Sequence, residues 1–156
     1  MAIFVTIPNI PGESVDKDHK DAIDVLSFQW GVSNPGSAVD KKVQPPSFSD
    51  LTITKALDRS TTRLALACAT GERLRNVKLD ETAAFTDEGR VTVLSIELWD
   101  AVVTEVAESG AEDGRPNDAI AFDFPKVEVV YTLFDSKGKK TGTERFGWDV
   151  SKNTPF

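Results

Sequence analysis

The stretch "IDVLSFQWGVSNPGS", residues 23–37, decides how the chain is read. From its middle onward, Leu26, Phe28, Trp30 and Val32 fall on one face, and Ser27, Gln29, Gly31 and Ser33 fall on the other. A period of two is the signature of a half-buried β-strand. The strand ends at Asn34-Pro35-Gly36, a turn-forming break. Its wet face is polar yet carries no charge, whereas a free surface strand usually carries more. That face needs a use.

Working outward, the same alternation recurs. Ile3, Val5 and Ile7 predict a first strand closed by Pro8 and Pro11-Gly12, and "GESVDKDHKDAID" (12–24) reads as a charged loop. Residues 34–49 form a long connection with Pro35, Pro45 and Pro46, and loops of that length are often functional. Leu51, Ile53 and Leu57 alternate with Thr52 and Thr54 as a further strand. One helix is predicted, at about 60–71: Ser60 as an N-cap whose hydroxyl accepts a first-turn N–H, Leu64, Ala67 and Cys68 as an apolar stripe, and Gly71 at the C′ position. Strand patterns then fill 74–81, 90–108, 119–134 and 143–150. About 19 residues is too long for one strand, so Asp100 is read as a bend or bulge within 90–108. Pro125 cannot donate to a ladder and interrupts 119–134. "DSKGKKTG" (135–142) reads as a hairpin loop. The fold class is mainly β, a barrel or sandwich with one helix, in one domain over 1–156 with no internal repeat.

Composition excludes several functions. The chain has 156 residues, 40% of them hydrophobic, which is enough for a core without disulfides or metals. A net charge of −7 speaks against a nucleic-acid partner, since phosphate binding needs a basic surface. No apolar run approaches the roughly 20 residues that span a bilayer. "MAIFVTIPNIPG" lacks a basic leader, so synthesis in the cytoplasm without a signal peptide is expected. Cys68 is the sole cysteine, read as a buried structural thiol. His19 lies in "DKDHKD" and is read as a solvated surface residue beside no nucleophile. No GxSxG, HExxH or P-loop spacing occurs, so no enzyme and no cofactor are expected. Asp16, Asp18, Asp21 and Asp24 invite calcium, but the sixth and twelfth positions of such a loop hold Asp21 and Ser27, where Gly and Glu are needed. The acidic run 108–118 reads as a solvated turn. Trp30 and Trp148 fall on apolar strand faces. Trp99, opposite Leu98, is the tryptophan expected at a surface or interface.

"GESVDKDHKDAIDVLSFQWGVSNPGS", "DLTITKALDRSTTRLALACATGE" and "FGWDVSKN" together resemble, in order and spacing, three segments of the haemolysin-coregulated protein (Hcp) family, the tube protein of bacterial type VI secretion. The resemblance implies a β-barrel of two antiparallel sheets with one flanking helix. It implies six copies to a ring and rings stacked into a hollow tube. It further implies a contractile sheath that expels the tube, a tip (spike) protein at its end, and small effectors carried in the lumen. On that reading Ser27, Gln29, Thr52 and Thr54 line the lumen. The long loop meets the next ring through Asp40, Lys41, Lys42, Val43 and Gln44, with Glu112 and Asp113 as the acidic counterparts of the two lysines. The protein would leave the cell through the machine it builds, and an effector would be a separate chain. A phage or other contractile-injector tail tube is a close cousin of this reading. The competing one is a monomeric soluble β-sandwich that binds a glycan or small ligand on Trp99.

Overall fold

The computed structural model describes residues 1–40, 43–85 and 89–156. In chain order the elements are β1 (Ala2–Thr6), β2 (Ile23–Val25), β3 (Ser27–Gln29), β4 (Val32–Ser33), β5 (Ser47–Phe48), β6 (Leu51–Ala56), α1 (Thr61–Thr70), β7 (Arg73–Phe85), β8 (Gly89–Ala111), β9 (Gly114–Asp123), β10 (Lys126–Phe134), β11 (Lys140–Asp149) and β12 (Thr154–Pro155). All strand pairs are antiparallel.

The region expected to be too long for one strand is one strand, β8, of 23 residues. It bends at Asp100, which sits at φ 54°. Asp tolerates this left-handed conformation because its short side chain can bond locally. Before the bend β8 lies between β7 and β10, and beyond it β8 pairs with β9. A bulge between Val103 and Glu105 adds local twist. Two arms therefore spring from one strand. One runs β8-β7-β1-β2, the other β8-β9-β6-β3.

Residues 23–29 join the arms. β2 pairs with β1, β3 pairs with β6, and only Leu26 lies between them. The Leu26 N–H donates to the Thr54 carbonyl at 2.7 Å, where the chain changes partner. The circuit closes there, with Val5, Ile23, Ile53, Leu79, Leu98 and Phe122 in one core. Burying each such side chain contributes about 1.5–3 kcal/mol. The crossing costs the strand its regular phase. Ile23 and Val25 point inward, then Leu26 bends out and is 61% exposed, and Phe28 and Trp30 resume the inward side. Leu26 and Val32, expected on the dry face, are both exposed. Period-two counting fails where a strand changes partner.

Other expectations shift by small physical causes. The helix ends at Gly71, which adopts φ 70° and donates to the carbonyl of Cys68. Ser60 makes no side-chain cap; its hydroxyl donates to Asp58, and Asp58 Oδ1 also accepts the Ser60 N–H at 2.8 Å. Asp58, a carboxylate, is the better acceptor at that turn. Leu64 and Ala67 are buried, but Cys68 is only half-buried at the helix edge. The 108–118 run is not a loop. β8 and β9 extend through most of it. β6 ends at Ala56, leaving Leu57 outside the strand.

Candidate functional site

The exposed side of the β3-β6-β9-β8 arm gathers the four residues singled out for the wet face. Ser27 lies opposite Thr54, and Gln29 opposite Thr52. The rows continue across the arm: Thr54 to Ala119 to Ala107, and Thr52 to Ala121 to Glu105. A third row reads Ala56, Asn117 and Ser109. Ser27 and Gln29 are exposed, and Thr52 and Thr54 half-buried. Glu105 is the one charged side chain in these rows. Alanines at 107, 119 and 121 leave the surface low, and the hydroxyls and amides make the rest of it polar without adding charge. Glu105 apart, such a surface offers neither an apolar patch nor an ion to which a passing molecule would adhere. The alanines are the part that strand-by-strand reading missed. Their signal was the alternation of Ala119 and Ala121 with Ile120 and Phe122.

Behind this face lies a polar cluster that the sequence did not disclose. Lys55 is entirely buried. Its Nζ donates to Asp118 Oδ2 at 2.8 Å, Asp58 Oδ1 at 2.9 Å and Thr61 Oγ1 at 2.9 Å. Thr61 Oγ1 in turn donates to Asp118 Oδ2 at 2.6 Å. The cluster ties β6, β9 and the start of α1 together. A buried ammonium is tolerable only when its charge and its donors are met, and two carboxylates and a hydroxyl meet them here. The face therefore rests on a stiff support.

The long connection starts from the β4–β5 pair, with Val32 opposite Phe48. Asp40, Val43 and Gln44 are exposed along it, and the Asn34 side-chain amide donates to the Gln44 carbonyl at 2.8 Å. Lys41 and Lys42 lie outside the described residues. Glu112 and Asp113 form the exposed tip of the β8–β9 hairpin. Trp99 is half-buried beneath the chain's own Phe156, with ring centroids 6.0 Å apart, and Lys126 Nζ lies over both rings.

His19 is not a solvated surface residue. It stacks on Phe4 at 4.4 Å with a 7° tilt, and both ring nitrogens meet carboxylates: Nδ1 to Asp16 Oδ2 at 2.9 Å and Nε2 to Asp80 Oδ2 at 3.0 Å. The local charge run concealed this, because Asp80 comes from a distant strand. The Asp16 carboxyl is held below its ordinary value, chiefly by the His19 hydrogen bond. Nearby Asp24 is pushed up, first by burial and then by the charges of Asp58, Asp16 and Glu13. Among the described residues no group of three His, Cys, Asp or Glu side chains could hold a metal. Among the described residues, no helix is long and apolar enough to cross a membrane.

A family model described as "Type VI secretion system effector, Hcp" matches residues 4–131, from β1 into β10. Protein hcp1 of Pseudomonas aeruginosa is 34% identical, over 97% of this chain and 96% of that protein. Among solved structures, a type six secretion system protein superposes with a TM-score of 0.91 at 26% identity, over 99% of each chain. Hcp1 from Salmonella typhimurium gives 0.84 at 27% identity, over 99% of this chain and 98% of that one. With sequence likeness along nearly the whole length and the same arrangement of strands, the chain belongs to the Hcp family, whose members are structural, secreted tube proteins of the type VI secretion system and not enzymes.

Proposed function

We propose that this chain forms a six-membered ring, that rings stack into a hollow tube, and that the Ser27/Gln29/Thr52/Thr54 face lines the lumen. The observation that carries the reading is the three-row polar face, flat with small residues and nearly free of charge. Varied small effectors could pass over it without being trapped, while remaining shielded inside the ring. Such a tube would be assembled in the cytoplasm, expelled by a contractile sheath behind a tip protein, and delivered outside the cell. Exposed apolar residues elsewhere support contact between copies: Leu26 beside the closing strand, and Tyr131 and Leu133 on β10. Ring closure by a head-to-tail interface would cover them and leave no free sheet edge.

In this reading the arm from Asn34 to Ser49 meets the next ring, with Asp40, Lys41, Lys42, Val43 and Gln44 at the contact. Lys41→Glu with Lys42→Glu is expected to weaken stacking and leave single rings intact. Loss of the rings themselves would contradict the assignment. The test of the whole proposal is mass in solution by light scattering after gel filtration. The expected mass is about six times the 17.0 kDa of the chain, with open annuli in negative stain. A monomer at every concentration would overturn it. The glycan-binding alternative has lost its platform, because Phe156 and Lys126 already cover Trp99.

A further inference from the structure

Loop 12–22 packs on the outer side of β1 and β7. Phe4 is in register with Asp24 on β2 and Asp80 on β7, while its neighbours Val5 and Leu79 are turned into the core. Phe4 is nonetheless buried, because the His19 ring lies flat upon it. The loop holds its own shape. Gly12 N–H donates to the Asp21 carbonyl at 2.8 Å, Ser14 N–H to Ala22 at 3.0 Å, and Asp21 N–H to Ser14 at 2.9 Å. Outside the loop, Glu13 accepts the Arg59 N–H at 2.8 Å and Arg90 stands 3.7 Å from Asp16, and the His19 side chain makes the contact with β1 and β7.

We propose that His19 is a protonation-controlled clasp: charged, it fastens loop 12–22 and the barrel-closing strand after it to the outer face of β1 and β7; neutral, it lets them loosen. The argument is one of donors and acceptors. A neutral imidazole has one N–H, and an imidazolium has two. Here both nitrogens stand within 3.0 Å of a carboxylate oxygen. With the ring neutral, one of those contacts sets a lone pair against a lone pair. Asp80 has the most to lose. Its second oxygen, Oδ1, is buried with no hydrogen-bond partner among the described residues, so the carboxylate relies on the His19 contact at Oδ2.

The charges around the ring agree. Asp80 faces it from β7, Asp16 from the loop, and Arg90 of β8 stands 3.7 Å from Asp16 Oδ1. Those three with an imidazolium sum to zero; with a neutral ring they sum to −1. Asp24 on β2 adds a further negative charge on the same face, and Asp18 contributes its backbone N–H to Asp16 at 3.3 Å. The remaining charges of the loop, Glu13, Lys17, Lys20 and Asp21, are exposed. The charged ring also gains from the π-face of Phe4. The sign follows. Fastening is present while the ring carries its second proton and is lost as pH rises through the ring's titration. It is lost again in acid, when the carboxylates take protons.

His19 is the sole histidine, so its ring nitrogen-15 signals are unambiguous. The experiment follows those signals against pH on the whole protein and measures amide hydrogen exchange at matched pH, corrected for intrinsic rates. Expected are two protonated ring nitrogens in the fastened state, and about tenfold faster opening of residues 12–22 once the ring loses a proton, the size of a charge-assisted hydrogen bond. Exchange in β8 around Ile96 should not follow the ring. His19→Gln should open the loop at every pH and abolish the step. If that variant fails to fold, the titration of the unaltered protein decides alone. A protected loop carrying a neutral ring, or protection indifferent to the ring's titration, would overturn the clasp. Neither result depends on whether the chain forms rings.

Discussion

Lys55 and His19 occupy matching positions in two parts of the molecule. Each is a basic side chain set between two carboxylates, each pair drawn from one near and one distant residue. The Lys55 cluster is sealed, with both Lys55 and Asp118 at 0% side-chain exposure. The His19 cluster lies at the rim, with its side chain 10% exposed and Asp16 22%. Water can replace a lost partner at the rim and cannot in the interior. Breaking the sealed cluster by removing one partner should therefore be costly, whereas the rim cluster can open and close. Burial, more than residue type, sets the role of an ion pair.

Removing a sealed partner gives the largest expected effect. Lys55→Ala leaves Asp118 buried and unpaired, and about 3–5 kcal/mol of stability should be lost in urea denaturation. A loss under about 1 kcal/mol would break the comparison, since Lys55 would then be no more essential than a surface ion. Next comes the joint between the clasp loop and the closing strand. A Cβ on Gly12 would stand 2.5 Å from the Ala22 carbonyl oxygen and from the Ile23 Cα, both backbone atoms that cannot rotate away. Gly12→Ala should therefore cost about 1–3 kcal/mol, by the same assay.

Smaller effects sharpen the rim side. Burial and neighbouring carboxylates raise Asp24, so its ionised form is worse tolerated folded than unfolded. A group raised in this way lowers stability above its folded value and is neutral in its effect well below it. Asp24→Asn should stabilise the protein near neutral pH, by under about 0.5 kcal/mol after solvent screening, and the gain should vanish in acid. Thermal melts at two pH values would show it; a gain that persists in acid would assign the effect to something other than charge. Last in stability are the polar rows. Ser27→Glu and Thr54→Glu alter side chains on the exposed side of the arm, and a stability change under about 0.5 kcal/mol is expected. Their effect should appear in effector retention instead, measured as co-purification of small effectors. Unchanged retention with both charges in place would detach these residues from the lumen.

The sequence disclosed much of this because local rules governed it. Alternation placed Ile3 and Val5, Leu51 and Ile53, and Leu94, Ile96 and Leu98 in strands, and Gly71 marked the helix end. Pro125 falls in the gap between β9 and β10, as a residue without an N–H must. Thr52 and Thr54 could be assigned to a wet face because their neighbours in sequence are apolar. The burial of Lys55, next in line, was not legible in the sequence, since nothing within a few residues reveals Asp118. His19 was misread for the same reason: the run "DKDHKD" looks solvated until Phe4 and Asp80 are brought beneath it.

Period and punctuation along the chain thus determined by themselves the β class, the single helix and the polar face. Each depends on side chains within a few residues of one another. The tertiary structure alone decided the closure at Leu26, the bend that lets one strand serve two arms, the sealed Lys55 cluster and the His19 clasp. Each of these brings together residues from different strands, and a charge or a turn acquires its meaning only from the groups that fold against it.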